Sequence, residues 1–190
     1  MRKSRAETAE TRQRIVVVAA EAFRANGIHA TGVADVMGAA GLSHGGFYRH
    51  FESKDQLVAE ACEAGLSSIV ETLAAAAQGR AGADGFKAVV EAYLSTGHRD
   101  APERGCPLAG MGSELARADD ATRDVAARGF NELVDLLASR SDGEDAQADR
   151  SRALFAFSAM VGGLTLSRMI ADPDASALLL DTLKQQLETI

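Results

Sequence analysis

The stretch from Thr31 to Lys54, TGVADVMGAAGLSHGGFYRHFESK, limits what this chain can fold into more than any other. Val33, Val36, Met37 and Ala40 fall at i, i+3, i+4 and i+7, which places four apolar side chains on one face of a short helix. Gly41 tolerates the left-handed conformation in which such a helix ends, and Ser43 is a good N-cap for a second short helix beginning at His44. Two helices joined by a brief turn containing Gly make the helix-turn-helix pattern.

In the second helix Phe47 and Phe51 are four residues apart and share the buried face. At about 100° per residue, Gly45, Gly46 and Arg49 then point outward, with His44, Tyr48 and His50 on the flanks. Such a face is poorly suited to water and well suited to a groove. Two missing side chains let the backbone approach another surface, at about 1 kcal/mol of helix propensity per Gly. Ser53 and Gln56 form a capping box that opens the next helix, with Lys54 in its first turn, where a lysine opposes the helix dipole and calls for an external anion.

GLSHGGFYRHFESKDQL resembles the signature of the TetR/AcrR family of helix-turn-helix transcriptional regulators, through Thr31, Gly41, Ser43, Gly45, Phe47, Tyr48, His50, Phe51, Ser53 and Lys54. The motif occupies about residues 11–57. Two positions depart from it: Gly32 stands where members often have Ser or Thr reaching a phosphate, and Gly46 where Ala or a small hydroxyl is common. The resemblance implies an all-α protein with an N-terminal three-helix DNA-binding head, residues 1–56, joined by a long helix to a ligand-binding and dimerisation body, residues 57–190.

The charge distribution agrees with this division. The chain carries a net −7, yet residues 1–56 hold 8 Lys/Arg against 6 Asp/Glu and three of the four histidines, leaving residues 57–190 with net −9. A basic head on an acidic body suits binding to nucleic acid. Arg2, Lys3 and Arg5 form an N-terminal arm able to lie along phosphates, or a frayed charged terminus. No apolar run approaches the roughly 20 residues of a membrane span and no signal-type segment is evident, so a cytoplasmic protein without membrane association is expected. Cys62 and Cys106 make no disulfide framework, and the histidines have no ligand spacing; neither metal nor cofactor is implied.

A first helix is expected over Thr8–Asn26 with Ile15, Val18, Ala19, Ala22 and Phe23 on its stripe and Gly27 as its stop. From Lys54 the positions Leu57, Val58, Ala61, Cys62, Leu66, Ile69, Val70 and Leu73 continue for more than five turns, with Cys62 reading as an inert core residue. A loop over Gln78–Asp84 precedes a helix over Gly85–His98. Pro102, Gly105 and Pro107 then keep Cys106 out of a helix interior, at the N-terminus of a helix over Leu108–Ala118. There Cys106 is either a sensor thiol with a lowered pKa or a small residue packed at a tight junction.

A helix over Ala121–Ser139 leads to a polar loop, Arg140–Gln147, and the last segment splits at Asp172–Pro173 into two helices. The first, with Leu154, Phe155, Phe157, Met160, Val161, Leu164, Leu166 and Met169 around it, reads as buried on all sides; Gly162 and Gly163 permit close helix approach. The second carries Leu178, Leu179, Leu180, Leu183, Leu187 and Ile190. So wide an apolar surface predicts a homodimer through the helices within 149–190, as the resemblance also implies.

A two-fold dimer places one reading helix per subunit in the major groove of double-stranded DNA, at a palindromic operator. Tyr48, His50, Lys54 and Thr31 are expected on phosphates, with Ser43 beside them, and Arg49, His44 and the backbone at Gly45 and Gly46 at base edges; Arg49 matches guanine O6 and N7. Phe86, Tyr93, Cys106, Met111, Phe130, Phe155 and Met160 are candidates to line a cavity for an unknown small-molecule effector that releases the repressor. Modification of Cys106 by an electrophile is the competing input. A thiol enzyme built from Cys106 and His98 lacks an orienting third group, and neither Gly-x-Ser-x-Gly nor a phosphate loop is present, so no catalytic residue is expected. A protein-interaction module would lack salt-dependent DNA binding.

Overall fold

The computed structural model describes residues 5–141, 143 and 145–190. Arg2 and Lys3 of the basic arm lie outside the described residues, whereas Arg5 is the exposed first residue of a helix. The secondary structure of the described residues is all-α: α1 (Arg5–Asn26), α2 (Val33–Ala39), a 3-10 helix (His44–Arg49), α3 (Lys54–Ala76), α4 (Gly82–Tyr93), α5 (Thr96–Asp100), a 3-10 turn (Pro102–Arg104), α6 (Pro107–Leu115), α7 (Asp120–Ala138), α8 (Ala146–Met169) and α9 (Pro173–Leu187).

The stops are those the side chains dictate. Gly27, at φ +87°, turns its N–H back to the Phe23 carbonyl at 2.8 Å and closes α1. Gly41, at φ +71°, makes the turn after α2. At α3 the Ser53 hydroxyl accepts from Gln56 N–H at 3.1 Å, while the Gln56 amide oxygen accepts from Glu52 N–H at 2.7 Å, one residue before the position an ideal capping box uses. Asp119, Asp145 and Asp172 cap α7, α8 and α9, and Pro107 and Pro173 begin α6 and α9.

Two expected helices are redrawn. The single helix over Gly85–His98 is two: α4 begins earlier, at Gly82, and ends at Tyr93, because the Ser95 hydroxyl accepts from His98 N–H at 3.1 Å and starts α5 afresh. The helix over Leu108–Ala118 is α6, ending at Leu115.

The core follows α3. Leu57, Val58, Ala61, Cys62, Leu66, Ile69 and Leu73 are all buried, packed mainly on α1 and α7, while α7 in turn packs on α8 and α8 on α9. Burial pushes the Cys62 thiol up to about 12, the behaviour of an inert core residue. Tyr93, Phe157 and Phe130 follow one another edge-on or tilted, at 5.8 and 5.7 Å between rings, through the interior of the body.

α8 is not buried on all sides within one protomer. Phe157, Met160 and Leu164 are inside, but Phe155, Leu166 and Met169 are 62, 52 and 70% exposed, and Leu178 of α9 is 67% exposed. Phe155, Gly162, Leu166 and Met169 recur at helical spacing, so they share one outer face. Of the two glycines, only Gly163 makes a close approach within the protomer: a Cβ there would fall on Leu183 of α9, whereas one at Gly162 would meet open space.

Where α1, α3 and α6 meet, the side chain of Arg24 lies across Gly65, and a Cβ at that position would strike its guanidinium and come within 2.9 Å of Pro107 Cγ. Gly65→Ala is therefore expected to destabilise the protein by about 1–3 kcal/mol, the cost of overpacking a tight contact. Urea unfolding measures it, and an unchanged midpoint would show that Arg24 moves aside without cost.

Candidate nucleic-acid interface

The reading segment begins with a side-chain pattern and ends as a 3-10 helix. Gly45 and Gly46 lower its helix propensity, and its bonds run Gly46 N–H to Ser43 O and His50 N–H to Phe47 O, closing i to i+3 turns. Ser43 takes the N-cap position in an extended conformation, but its hydroxyl makes no capping hydrogen bond. The segment is held instead by Phe47 and Phe51, both fully buried and stacked at 5.5 Å between ring centres. Above them Arg12 of α1 places its guanidinium over the Phe51 ring at 4.6 Å, donates to the His50 carbonyl at 3.2 Å and pairs with Glu60 of α3. That clamp joins residues 38 and 48 positions apart, a separation at which sequence periodicity carries no signal.

On the outside, His44, Gly45, Tyr48 and Arg49 are exposed and contiguous, with Tyr48 72% exposed and edge-on to Phe47 at 5.2 Å. Gly46 and His50 are half-buried at the margin. A Cβ at Gly45 would meet nothing within 4 Å, whereas one at Gly46 would lie 3.5 Å from Met37 Cε, so Gly46 faces partly back toward α2.

Two of the expected phosphate contacts are otherwise engaged. Thr31 is buried, and its hydroxyl donates to the Gly27 carbonyl at 2.7 Å; it ties the α1–α2 loop and is not a surface donor. Lys54 directs its ammonium to the Ile28 carbonyl at 2.6 Å, near the face of Phe23 at 5.9 Å, so the opposition to the α3 dipole is offset internally.

The same α1–α2 loop is gripped from the body. The Glu114 carboxylate at the end of α6 accepts from Ile28 N–H at 3.0 Å, from His29 N–H at 2.8 Å and from the His29 ring at 2.9 Å. Burial pushes its carboxyl up, but these His29 and Ile28 donors outweigh it and hold the group below the usual carboxylate range. Arg24 adds a bond to the Glu103 carbonyl at 2.8 Å. Neither Glu114 nor His29 belongs to a motif, so the residues that orient the reading surface on the body went unseen in the sequence.

The candidate effector residues do not converge. Phe86 lines a cleft of about 390 Å³ with Arg140, Arg152 and Leu187; Tyr93, Met111 and Met160 are packed in the interior, with Phe130 half-buried beside them; Phe155 points outward. Cys106 is 1% exposed at the N-cap of α6, where burial pushes its thiol up, outweighing the Tyr93 hydroxyl and the amides of Ala109 and Leu108. Burial thus outweighs the lowering expected from the helix N-terminus. His98 does not serve that thiol. Its Nε2 accepts from the Cys106 backbone N–H at 2.9 Å and its Nδ1–H donates to the Tyr93 carbonyl at 2.7 Å, which assigns a neutral ring.

Residues 15–61 match the family model described as bacterial regulatory proteins, tetR family. An HTH-type transcriptional regulator of Mycobacterium tuberculosis is 30% identical over 173 residues, 85% of this chain and 86% of that protein. The HTH-type transcriptional regulator AcrR of Shigella flexneri is 39% identical over 70 residues, 37% of this chain and 33% of that protein. Among solved structures, a TetR transcriptional regulator from Chloroflexus aurantiacus superimposes with a TM-score of 0.80 at 26% identity, covering 96% of this chain and 94% of its own. Among the described residues no helix is long and apolar enough to cross a membrane.

Burial lowers the His98 ring from 6.5 to about 4, so on acidification the unfolded chain takes up this proton first. The stability linked to the neutral ring is complete above pH 6.5 and is lost as pH falls through 6.5 toward 4. Between pH 7 and pH 5 the native protein is expected to lose about 2 kcal/mol more than His98→Gln does. Denaturant unfolding at each pH measures this difference, and parallel pH profiles would refute it.

Proposed function

The chain belongs to the tetR family of bacterial regulatory proteins, a DNA-binding transcriptional regulator and not an enzyme, and from that premise we propose that it is a cytoplasmic dimeric repressor of a palindromic operator, released by a small molecule. The observation that carries the DNA-reading part is the exposed, contiguous surface of His44, Gly45, Tyr48 and Arg49, pinned from behind by Phe47 and Phe51. Arg49 reads a guanine edge, and Tyr48 and the half-buried His50 lie on the phosphates. The backbone at Gly45 approaches the groove, with His44 at the base edges and Ser43 at the rim. Lys54 acts chiefly by fixing the α1–α2 loop through Ile28, and Thr31 leaves the contact set.

Residues 1–56 serve as the DNA-binding unit and 57–190 as the regulatory and dimerisation unit, with α3 passing its first turn to the former. The exposed stripe Phe155, Gly162, Leu166, Met169 with Leu178 supports a two-fold interface through α8 and α9. One apolar face of this size is more than a lone protomer shields. The bonds from Glu114 of the body to the α1–α2 loop, and from Arg24 of the head to the Glu103 carbonyl of the body, offer a route by which a ligand in the body biases the heads toward the released arrangement.

Selection of sites from random duplex DNA is expected to recover a palindrome bound with a steep inverse dependence on salt; recovery of unrelated sequences would overturn the operator reading. Against the recovered site, Arg49→Ala is expected to cost about 1–3 kcal/mol and relax choice at one symmetric base pair. Gly45→Ala, whose methyl has open space in the free protein, is expected to stabilise the fold by up to about 1 kcal/mol while weakening DNA binding. Unchanged affinity in Gly45→Ala would refute the close backbone approach. Phe155→Glu is expected to turn a dimer into a folded monomer in sedimentation and to abolish tight operator binding; a persisting dimer would place the interface elsewhere.

A further inference from the structure

At the opposite end of α6 from Glu114, the last turn of α8 carries a cation without a directly paired carboxylate. Arg168 is half-buried, and its Nε and Nη2 donate to the carbonyls of Arg99, at 3.1 Å, and His98, at 2.8 Å, both near the end of the short helix α5. Among the described residues no carboxylate lies within 4 Å of it. Burial lowers its pKa, outweighing the opposing influence of Tyr93, Cys106 and the more distant Glu103 carboxylate. Its neighbour Arg99 is different: that fork is filled by Asp100, with a further bond to the Ser176 hydroxyl at 3.0 Å.

Both arginines line a surface cleft of about 390 Å³ together with the apolar residues Pro102, Ile170 and Pro173 and the polar residues Asp100, Ser167 and Ser176. A half-buried guanidinium bonded only to carbonyls retains most of its desolvation cost, and an anion seated beside it offsets that cost. We propose that this cleft is the effector site, and that it takes a small organic monocarboxylate with a compact apolar body, its carboxylate on Arg168 and its body against Pro102, Ile170 and Pro173. One unmatched cation, apolar walls and the Asp100 carboxylate at the rim suit a monoanion and oppose a phosphorylated or doubly charged ligand. The inference rests on the ligand-released repressor reading and supplies its ligand class and location.

The cleft also has a mechanical connection to the head. The Arg168 guanidinium passes so close to Gly105 that a Cβ there would lie 2.8 Å from Nη2 and 2.9 Å from His98 Nε2. His98 holds the N–H of Cys106, the cap of α6, and Glu114 at the far end of α6 holds Ile28 and His29. A carboxylate that draws Arg168 off the carbonyls of His98 and Arg99 releases the α5–α6 junction, and α6 carries the displacement to the α1–α2 loop.

The test is competition in fluorescence anisotropy on the selected operator, using full-length protein at matched ionic strength. The probes are sodium benzoate, phenylacetate and 3-methylbutanoate, the corresponding neutral amides, and sodium chloride. At least one carboxylate is expected to weaken DNA binding by about tenfold, a typical allosteric coupling, and the amides and chloride not at all. Arg168→Gln, with its fold checked by circular dichroism, lacks the bonds to the His98 and Arg99 carbonyls and is expected to bind DNA more weakly without any carboxylate and to weaken no further when one is added. Ala171→Glu, at the exposed rim, supplies a competing carboxylate and is expected to lose the response too, independently of any damage in Arg168→Gln. Carboxylates no better than chloride, or a full response in both variants, would overturn the proposal. Release by carboxylates or amides alike in native and variant proteins would leave a ligand-released repressor with its site elsewhere; no release by any compound would count against the ligand reading as well.

Discussion

Everything in this molecule is referred to α3. Its apolar stripe from Leu57 to Leu73 is buried apart from the half-buried Val70, against α1 at the head and α7 in the body. One helix thus supplies a wall of both cores. At about 1.5 Å per residue, its 23 residues make a rod about 35 Å long that packs in both the head and the body cores. The polar bonds then decide how strongly each end is held: Arg12 with Glu60 at the reading segment, Lys54 with Ile28 at the first turn, and Arg24 and Glu114 between head and body.

Those bonds are unequal in kind. Arg12 and Glu60 are partly exposed, and such a pair contributes modestly through charge, so its value lies in fixing the His50 carbonyl. Glu114 satisfies two backbone N–H groups of a loop whose glycine leaves them without helical partners, which makes it a structural cap supplied in trans by the body. His29, by contrast, is 83% exposed on its side chain and adds little to that grip.

Much of the architecture was legible in residues with local rules. Gly27, Gly41, Ser53, Asp172 and Pro173 stop or start helices where their conformational preferences require it, and Phe47 and Phe51 are buried as their spacing demands. What failed depended on context. Apolar periodicity could not separate Phe157, inside the protomer, from Phe155, outside it, since both fit a helix covered on every side. Ser95 interrupted a run whose pattern read as continuous, because a hydroxyl capped a new helix there. Thr31 and Lys54 carry the family motif, and each also makes a hydrogen bond, to the Gly27 and Ile28 carbonyls, that only the folded loop makes possible. For Cys106, a lowered pKa followed from its place at a helix N-terminus, and burial reversed it.

The segment His44–Arg49 owes its position to two phenyl rings behind it and to Arg12 on its carbonyl, not to a long helical ladder. The anchoring residues and the outward residues are therefore largely separate sets. His44 and Arg49 point away from Phe47 and Phe51, so a change at either leaves the anchor beneath untouched, whereas Tyr48 leans edge-on against Phe47 and belongs partly to both sets.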